Sequence, residues 1–337
     1  MTSAFICGVG GLALTADERS FLRDVDPWGL ILFKRNIETP AQILDLVASF
    51  RAAVGRADAP VLIDQEGGRV QRLADPFWPK YPPARTFGDL YDVDPLAGIA
   101  AARLVTRMIA EDLTALGITV DCLPVLDVPQ PGSHDVIGNR AYHTRPETAA
   151  LLARAAMEGL KAGGVLPIIK HIPGHGRANA DSHHALPVVD TPAGELRAID
   201  FLPFAALSDA PMAMTAHVVY RAIDPVLPAT LSPTVMRVVR EDIGYDGLVM
   251  TDDLSMKALN GTLRDLARQS LEAGCDMLLH CNGNLDEMAE VAAGAGTLHG
   301  SAARRAARAL ASRQAPAPLP ETEKARALAF LTAVAAA

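Results

Sequence analysis

Three runs of polar residues carry side chains able to move protons, donate to hydroxyls or attack carbon. The first is Ile63-Asp-Gln-Glu-Gly-Gly-Arg-Val-Gln-Arg72. Asp64 can accept from hydroxyls while Arg72 donates in a planar fork, which is the equipment of a polar-ligand site. The same run can also close as a capped turn with a local ion pair. The second is Lys170-His-Ile-Pro-Gly-His-Gly-Arg-Ala-Asn-Ala-Asp-Ser-His-His184, which holds four of the nine histidines. Asp181 and His183 stand two apart, so the carboxylate can orient the imidazole and raise its basicity. A histidine with a pKa near neutrality serves as general acid and general base in one cycle. His171, His175, His183 and His184 with Asp181 are also zinc-ligand types. Pro173, Gly174 and Gly176 make this stretch a mobile loop, however, whereas HExxH sites hold their ligands on a rigid helix. The third run is Val249-Met-Thr-Asp-Asp-Leu-Ser-Met256. Adjacent carboxylates on a strand face opposite sides, so only one can point along a common axis. Asp252 is the expected reactive group and Asp253 its support; capping a following helix is the ordinary structural job for either.

These runs need elements to hold them. Short apolar segments bounded by Gly, Pro or polar residues predict strands at Phe5–Val9, Gly29–Phe33, Val61–Asp64, Thr119–Pro124, Leu166–His171, Met212–His217, Leu248–Asp252 and Met277–Cys281. Amphipathic helices alternate with them. One starts at Asp94-Pro95 and closes at Gly117, one covers Glu147–Ala162, one begins at Thr191-Pro192, and one runs over Leu263–Ala273 before Gly274. Such alternation predicts an α/β fold with a parallel sheet. Asp64, Asp127, Lys170-His171, His217, Asp252-Asp253 and His280 all fall at strand C-terminal ends. A (β/α)8 TIM barrel gathers such ends around one mouth, whereas an open doubly wound sheet concentrates them at one crevice. The barrel is preferred. One domain over residues 1–337 is expected, with the barrel at about 3–313 and a helical tail at about 321–337.

Composition narrows the function classes. Half of the 337 residues are hydrophobic, 21% are charged, and the net charge is −8. No basic excess is available to neutralise a phosphate backbone, so nucleic acid is not an expected partner. No Lys or Arg precedes the apolar Phe5–Leu14, so it lacks a secretory n-region. The apolar Ala327–Ala337 is shorter than the roughly 20 residues of a membrane span. Cys7, Cys122, Cys275 and Cys281 have no CxxC spacing and read as reduced thiols. A cytoplasmic protein, monomeric or weakly dimeric, is expected.

In this order, DQEGGRVQR, KHxPGHG followed by ADSHH, and TDDLSM resemble the family 3 glycoside hydrolases, within them the single-domain bacterial β-N-acetylglucosaminidases of peptidoglycan recycling. The resemblance spans the chain from the first strand to about Cys281. It implies a TIM barrel with Asp252 as nucleophile and the Asp181–His183 pair as the acid/base dyad. It implies sugar-binding roles for Asp64, Arg72, Arg140, Lys170 and His171, and a structural carboxylate at Asp127. Ile172, Asn139 and Arg177 depart from the family's usual residues. The implied substrate is a small sugar, N-acetylglucosaminyl-1,6-anhydro-N-acetylmuramic acid with or without its peptide. No metal or organic cofactor is called for. The competing classes are a broader family 3 β-glucosidase, a metal-dependent hydrolase built on the histidines, and a non-catalytic sugar sensor.

Overall fold

Alternation along short strands divides their side chains between two cores. On β1 (Ser3–Cys7), Ala4 and Ile6 turn to a common axis while Phe5 and Cys7 pack outward. On β7 (Leu248–Asp253), Leu248 and Met250 turn inward and Val249 outward. The remaining strands are β2 (Pro27–Leu32), β3 (Val61–Ile63), β4 (Val120–Asp121), β5 (Leu166–Ile172), β6 (Met212–Thr215) and β8 (Met277–His280). In this computed structural model, which describes residues 1–181 and 186–336, the eight pair in chain order, all parallel, and β8 closes on β1. The architecture is therefore the expected (β/α)8 barrel.

All eight predicted strands form. The fourth is shorter than the predicted Thr119–Pro124: Pro124 has no N–H to donate, and beyond Asp121 the pairing thins to the bonds Cys122 N to Ile63 O and Ile168 N to Leu123 O and a bridge from Val125 to Lys170. The helix ends are where the residues place them. The Asp94 carboxylate caps Leu96 and Ala97 with Pro95 at the first position, and the helix over Leu263–Ala273 stops at Gly274, whose φ is +115°. The helix expected after Thr191-Pro192 begins at Ala193. Helix Gly300–Ala311 contributes Ala306 and Ala309 to the axial core and so closes its lower end. A terminal helix, Glu321–Ala336, docks through Ala327 and Leu331 just after the buried Leu319, and its Phe330 stacks on Phe87 at 6.0 Å.

Register brings the strand ends to one level: Cys7 lies beside His280, Ile63 beside Asp121, and Lys170 beside Met214. Cys7, Cys122 and Cys275 are buried free thiols, whereas Cys281 is half-buried at that mouth. Among the described residues no helix is long and apolar enough to cross a membrane.

Candidate active site

A cavity of about 280 Å³ opens at the mouth, and Asp64, Arg72, Arg140, Lys170, His171 and Asp252 all line it. Residues from four separate stretches of chain thus converge as the barrel requires. The cavity falls just below the roughly 300–1,000 Å³ of drug-sized sites, which suits one sugar unit better than a chain of them.

Its floor is a row of alternating charges. Arg72 Nη2 donates to Asp64 Oδ2 at 3.1 Å, Lys170 Nζ donates to Asp64 Oδ1 at 2.8 Å, and Lys170 Nζ lies 2.6 Å from Glu66 Oε1. Arg140 then grips Glu66 with two 2.8 Å bonds from Nε and Nη2. Burial opposes ionisation of both carboxyls, but the cations outweigh it. Lys170 and Arg72 hold Asp64 well below the usual carboxylate range, and Arg140 and Lys170 hold Glu66 at about 2. The buried Lys170 ammonium is in turn raised by Asp64 and Glu66. All five groups are charged at neutral pH, and the row presents leftover donors to hydroxyl and acetamido oxygens.

The DQEGG run builds this row through a tight hairpin. Gln65 is fully buried; its amide oxygen accepts from Arg72 N and Leu73 N, both at 3.0 Å, and its own N–H donates to Asp121 Oδ1 at 2.9 Å. Gly67 has φ +90°, and a Cβ there would meet Pro82 O at 2.3 Å, so this turn accepts only glycine. The local ion pair of the structural reading exists, but it faces the cavity as part of the site.

Asp127 organises the next wall. Its Oδ1 accepts from the backbone N–H groups of His171 (3.1 Å) and His175 (2.6 Å), and its Oδ2 meets His171 Nδ1 at 2.7 Å. Burial works against its ionisation, yet those partners hold it at about 2. A carboxylate only accepts, so His171 carries its proton on Nδ1 toward Asp127 and leaves Nε2 for the cavity. Burial, with His171 beside it, pushes His175 down to about 4. Arg177, the departure after the GHG triplet, anchors its loop: Nε donates to Asp200 Oδ2 at 2.7 Å and Nη2 lies 2.9 Å from Glu195.

Asp252 lines the cavity, and because the pairing with β8 shifts register between Met250 and Asp253, Asp253 lines it as well, although strict alternation would admit only one of them. Burial resists the ionisation of Asp252, but the imidazoles of His217 and His171, the Asp253 N–H and Lys170 lower its pKa. The Asp253 carboxylate accepts from Ser255 N (3.0 Å), Ser255 Oγ (2.8 Å) and Cys281 N (3.2 Å). Neither residue caps a helix; that job falls to Thr262, which starts the next one. Asp181 is described and half-buried, whereas His183 and His184 lie outside the described residues.

Two contributors escaped the sequence reading. Glu66 was absorbed into the turn, although it stands two residues after Asp64 and so shares its side of an extended chain. Phe33 read as the last apolar residue of a strand, yet its ring lies under the guanidinium of Arg72 at 5.2 Å and that of Arg35 at 5.0 Å.

Comparison with known proteins bears directly on this site. A sequence profile of the Glycosyl hydrolase family 3 N terminal domain matches residues 7–311. A protein of Bordetella avium named Beta-hexosaminidase is 40% identical over 280 residues, 81% of this chain and 79% of its own length.

The chain belongs to glycosyl hydrolase family 3.

Solved structures agree in fold. NagZ from Neisseria gonorrhoeae, in complex with N-trifluoroacetyl-D-glucosamine, superposes with a TM-score of 0.87 at 34% identity, over 99% of this chain and 98% of that one. A family 3 β-N-acetylglucosaminidase from Paenibacillus gives 0.83 at 31% identity, covering 94% of this chain and 63% of that one. Membership of family 3 makes the chain a glycoside hydrolase.

Proposed function

We propose that the chain is a β-N-acetylhexosaminidase, specifically a retaining exo-enzyme that removes terminal N-acetylglucosamine from N-acetylglucosaminyl-1,6-anhydro-N-acetylmuramic acid in cytoplasmic cell-wall recycling. The observation that carries the reading is an ionised Asp252 on the axis of a sugar-sized cavity, opposite a charged row rich in donors. The Beta-hexosaminidase relatives and the glucosamine-derivative complex support the acetamido sugar.

In this mechanism Asp64, Arg72, Arg140, Lys170 and His171 hold the sugar's hydroxyls and acetamido group. An Asp252 oxygen attacks the anomeric carbon, the glycosidic C–O bond breaks, and its electron pair leaves on the aglycone oxygen with a proton from His183. Water then attacks the glycosyl ester, His183 takes the water's proton, and Asp252 departs as carboxylate, so configuration is retained. Asp181 orients His183 throughout.

Nitrophenol release from the β-N-acetylglucosaminide and the β-glucoside, with EDTA present, tests the assignment. The wild type should prefer the acetamido sugar and survive EDTA; Asp252→Asn should lose at least about 1,000-fold in kcat. Equal rates on both sugars would indicate a broad exo-glycosidase, loss with EDTA a metal hydrolase, and silence on both a sensor.

A further inference from the structure

Behind Asp252, away from the cavity, lies a run of buried polar groups that the mechanism above does not use. His217, Thr215 and Thr230 are all fully buried. His217 Nε2 is 3.0 Å from the carbonyl oxygen of Asp253, and His217 Nδ1 is 2.7 Å from Thr230 Oγ1. Thr230 Oγ1 is 2.7 Å from Thr215 Oγ1, which accepts from the backbone N–H of Asp252 at 3.3 Å. The chain leaves the Asp253–Leu254 peptide unit, passes through an imidazole and two hydroxyls, and returns to the Thr251–Asp252 peptide unit, so it brackets the Asp252–Asp253 pair.

Its polarity follows from donor and acceptor chemistry. A carbonyl only accepts, so His217 Nε2 carries a proton. Burial lowers the imidazole's pKa, so at neutral pH Nδ1 keeps its lone pair. Thr230 must then donate to Nδ1, and its oxygen is free to accept from Thr215. Thr215, having spent its proton on Thr230, accepts from Asp252 N–H. With the imidazole neutral each bond has one direction, and no other assignment pairs them all. An alternative bond from Thr230 to Ala216 O is longer, at 3.3 Å, and would leave Nδ1 unpaired.

We propose that His217, Thr230 and Thr215 are positioning residues for Asp252: a directional hydrogen-bond chain that locks the two peptide units bracketing Asp252–Asp253 and so aims the Asp252 carboxylate into the cavity. The proposal rests on the reading of Asp252 as nucleophile. Aim matters most when the Asp252–sugar bond is partly formed, so loosening it should act on the chemical steps and not on binding.

The test uses the full chain. Thr230→Val keeps the shape and deletes the hydroxyl; kcat should fall about 10- to 100-fold while KM stays within about threefold, and Thr230→Ser should restore most of it. Nitrogen-15 NMR of the imidazoles, with His217→Gln to assign the signal, should report a neutral His217 protonated on Nε2 at pH 7. Unchanged kcat in Thr230→Val would overturn the proposal, as would a His217 protonated on Nδ1 or on both nitrogens. Asp252→Asn separates the two ideas: if it is inactive while Thr230→Val is fully active, only the positioning chain fails. If Asp252→Asn remains active, the nucleophile reading itself fails.

Discussion

The barrel carries buried ion clusters at both ends, and they differ in what they leave over. At the lower end Asp276 accepts from Arg240 Nη2 (2.7 Å), Val249 N (2.9 Å) and Arg305 Nη1 (3.0 Å). Arg240 spends its other nitrogen on the carbonyls of Tyr245 and Gly247, and Arg305 turns to Asp246. That cluster closes on backbone and pins strand starts to helices. At the mouth the charges pair mainly with one another, and side chains line the cavity without spending all their donors. Size does not separate the two ends: the lower one borders a larger hollow, about 650 Å³. What separates them is whether polar groups are consumed by the fold or held ready for a ligand, a distinction made by chemistry and not by volume.

The largest effect that this comparison predicts is at Lys170. Lys170→Met leaves Asp64 and Glu66 buried side by side with their shared cation gone. Removing one partner of a buried pair costs about 3–5 kcal/mol, and losing a donor aimed at the reacting sugar costs about 100- to 1,000-fold in rate. Denaturant melts and kcat/KM on the same preparation should both fall. A stable variant with wild-type activity would erase the distinction between the two ends.

A smaller and one-sided effect is expected at the lower end. Arg240→Met uncovers one side of Asp276, but Val249 N and Arg305 still hold it, so the loss should be about 2–3 kcal/mol, below the full buried-pair figure. The folded variant should keep kcat/KM within about twofold, because no atom of that cluster borders the mouth. A large drop in kcat/KM at full occupancy of the folded state would show that the two ends communicate.

Much of this was legible in the residues. The barrel could be read because strands buried on both faces are continuous apolar runs, and Asp64, Lys170 and Asp252 because strand ends of a barrel share one mouth. Arg140 was reached only through family resemblance: nothing local announces that it will grip Glu66, 74 positions earlier in the chain. The hydrogen-bond chain behind Asp252 was invisible for a related reason. His217 meets Thr230 across a connection between elements, and a threonine in such a stretch looks like any other. Sequence spacing reveals which residues share a face, not which distant polar atoms will need one another once water is excluded.

The finest test lies between the two ends, at Asp121, a fully buried carboxyl under the mouth row. Burial pushes it up to about 8 despite the Gln65 N–H and Lys170, and its Oδ2 has no partner. The mouth carboxylates are depressed, so the sign here is opposite. Above the ordinary value of 3.8 the unfolded chain has released this proton while the folded state retains it up to about 8. The folded state therefore binds more protons across that window, and stability falls as pH rises through it. Asp121→Asn keeps an oxygen for Gln65 N–H and removes the titration. The variant's Tm should exceed the wild type's by a margin that is small at pH 5 and grows by several degrees at pH 8, read by calorimetry at both pH values. A difference that stayed constant with pH would mean that Asp121 is ionised in the fold. The mouth row would then carry one more negative charge than its geometry assigns, and the contrast with the self-contained lower cluster would have to be redrawn.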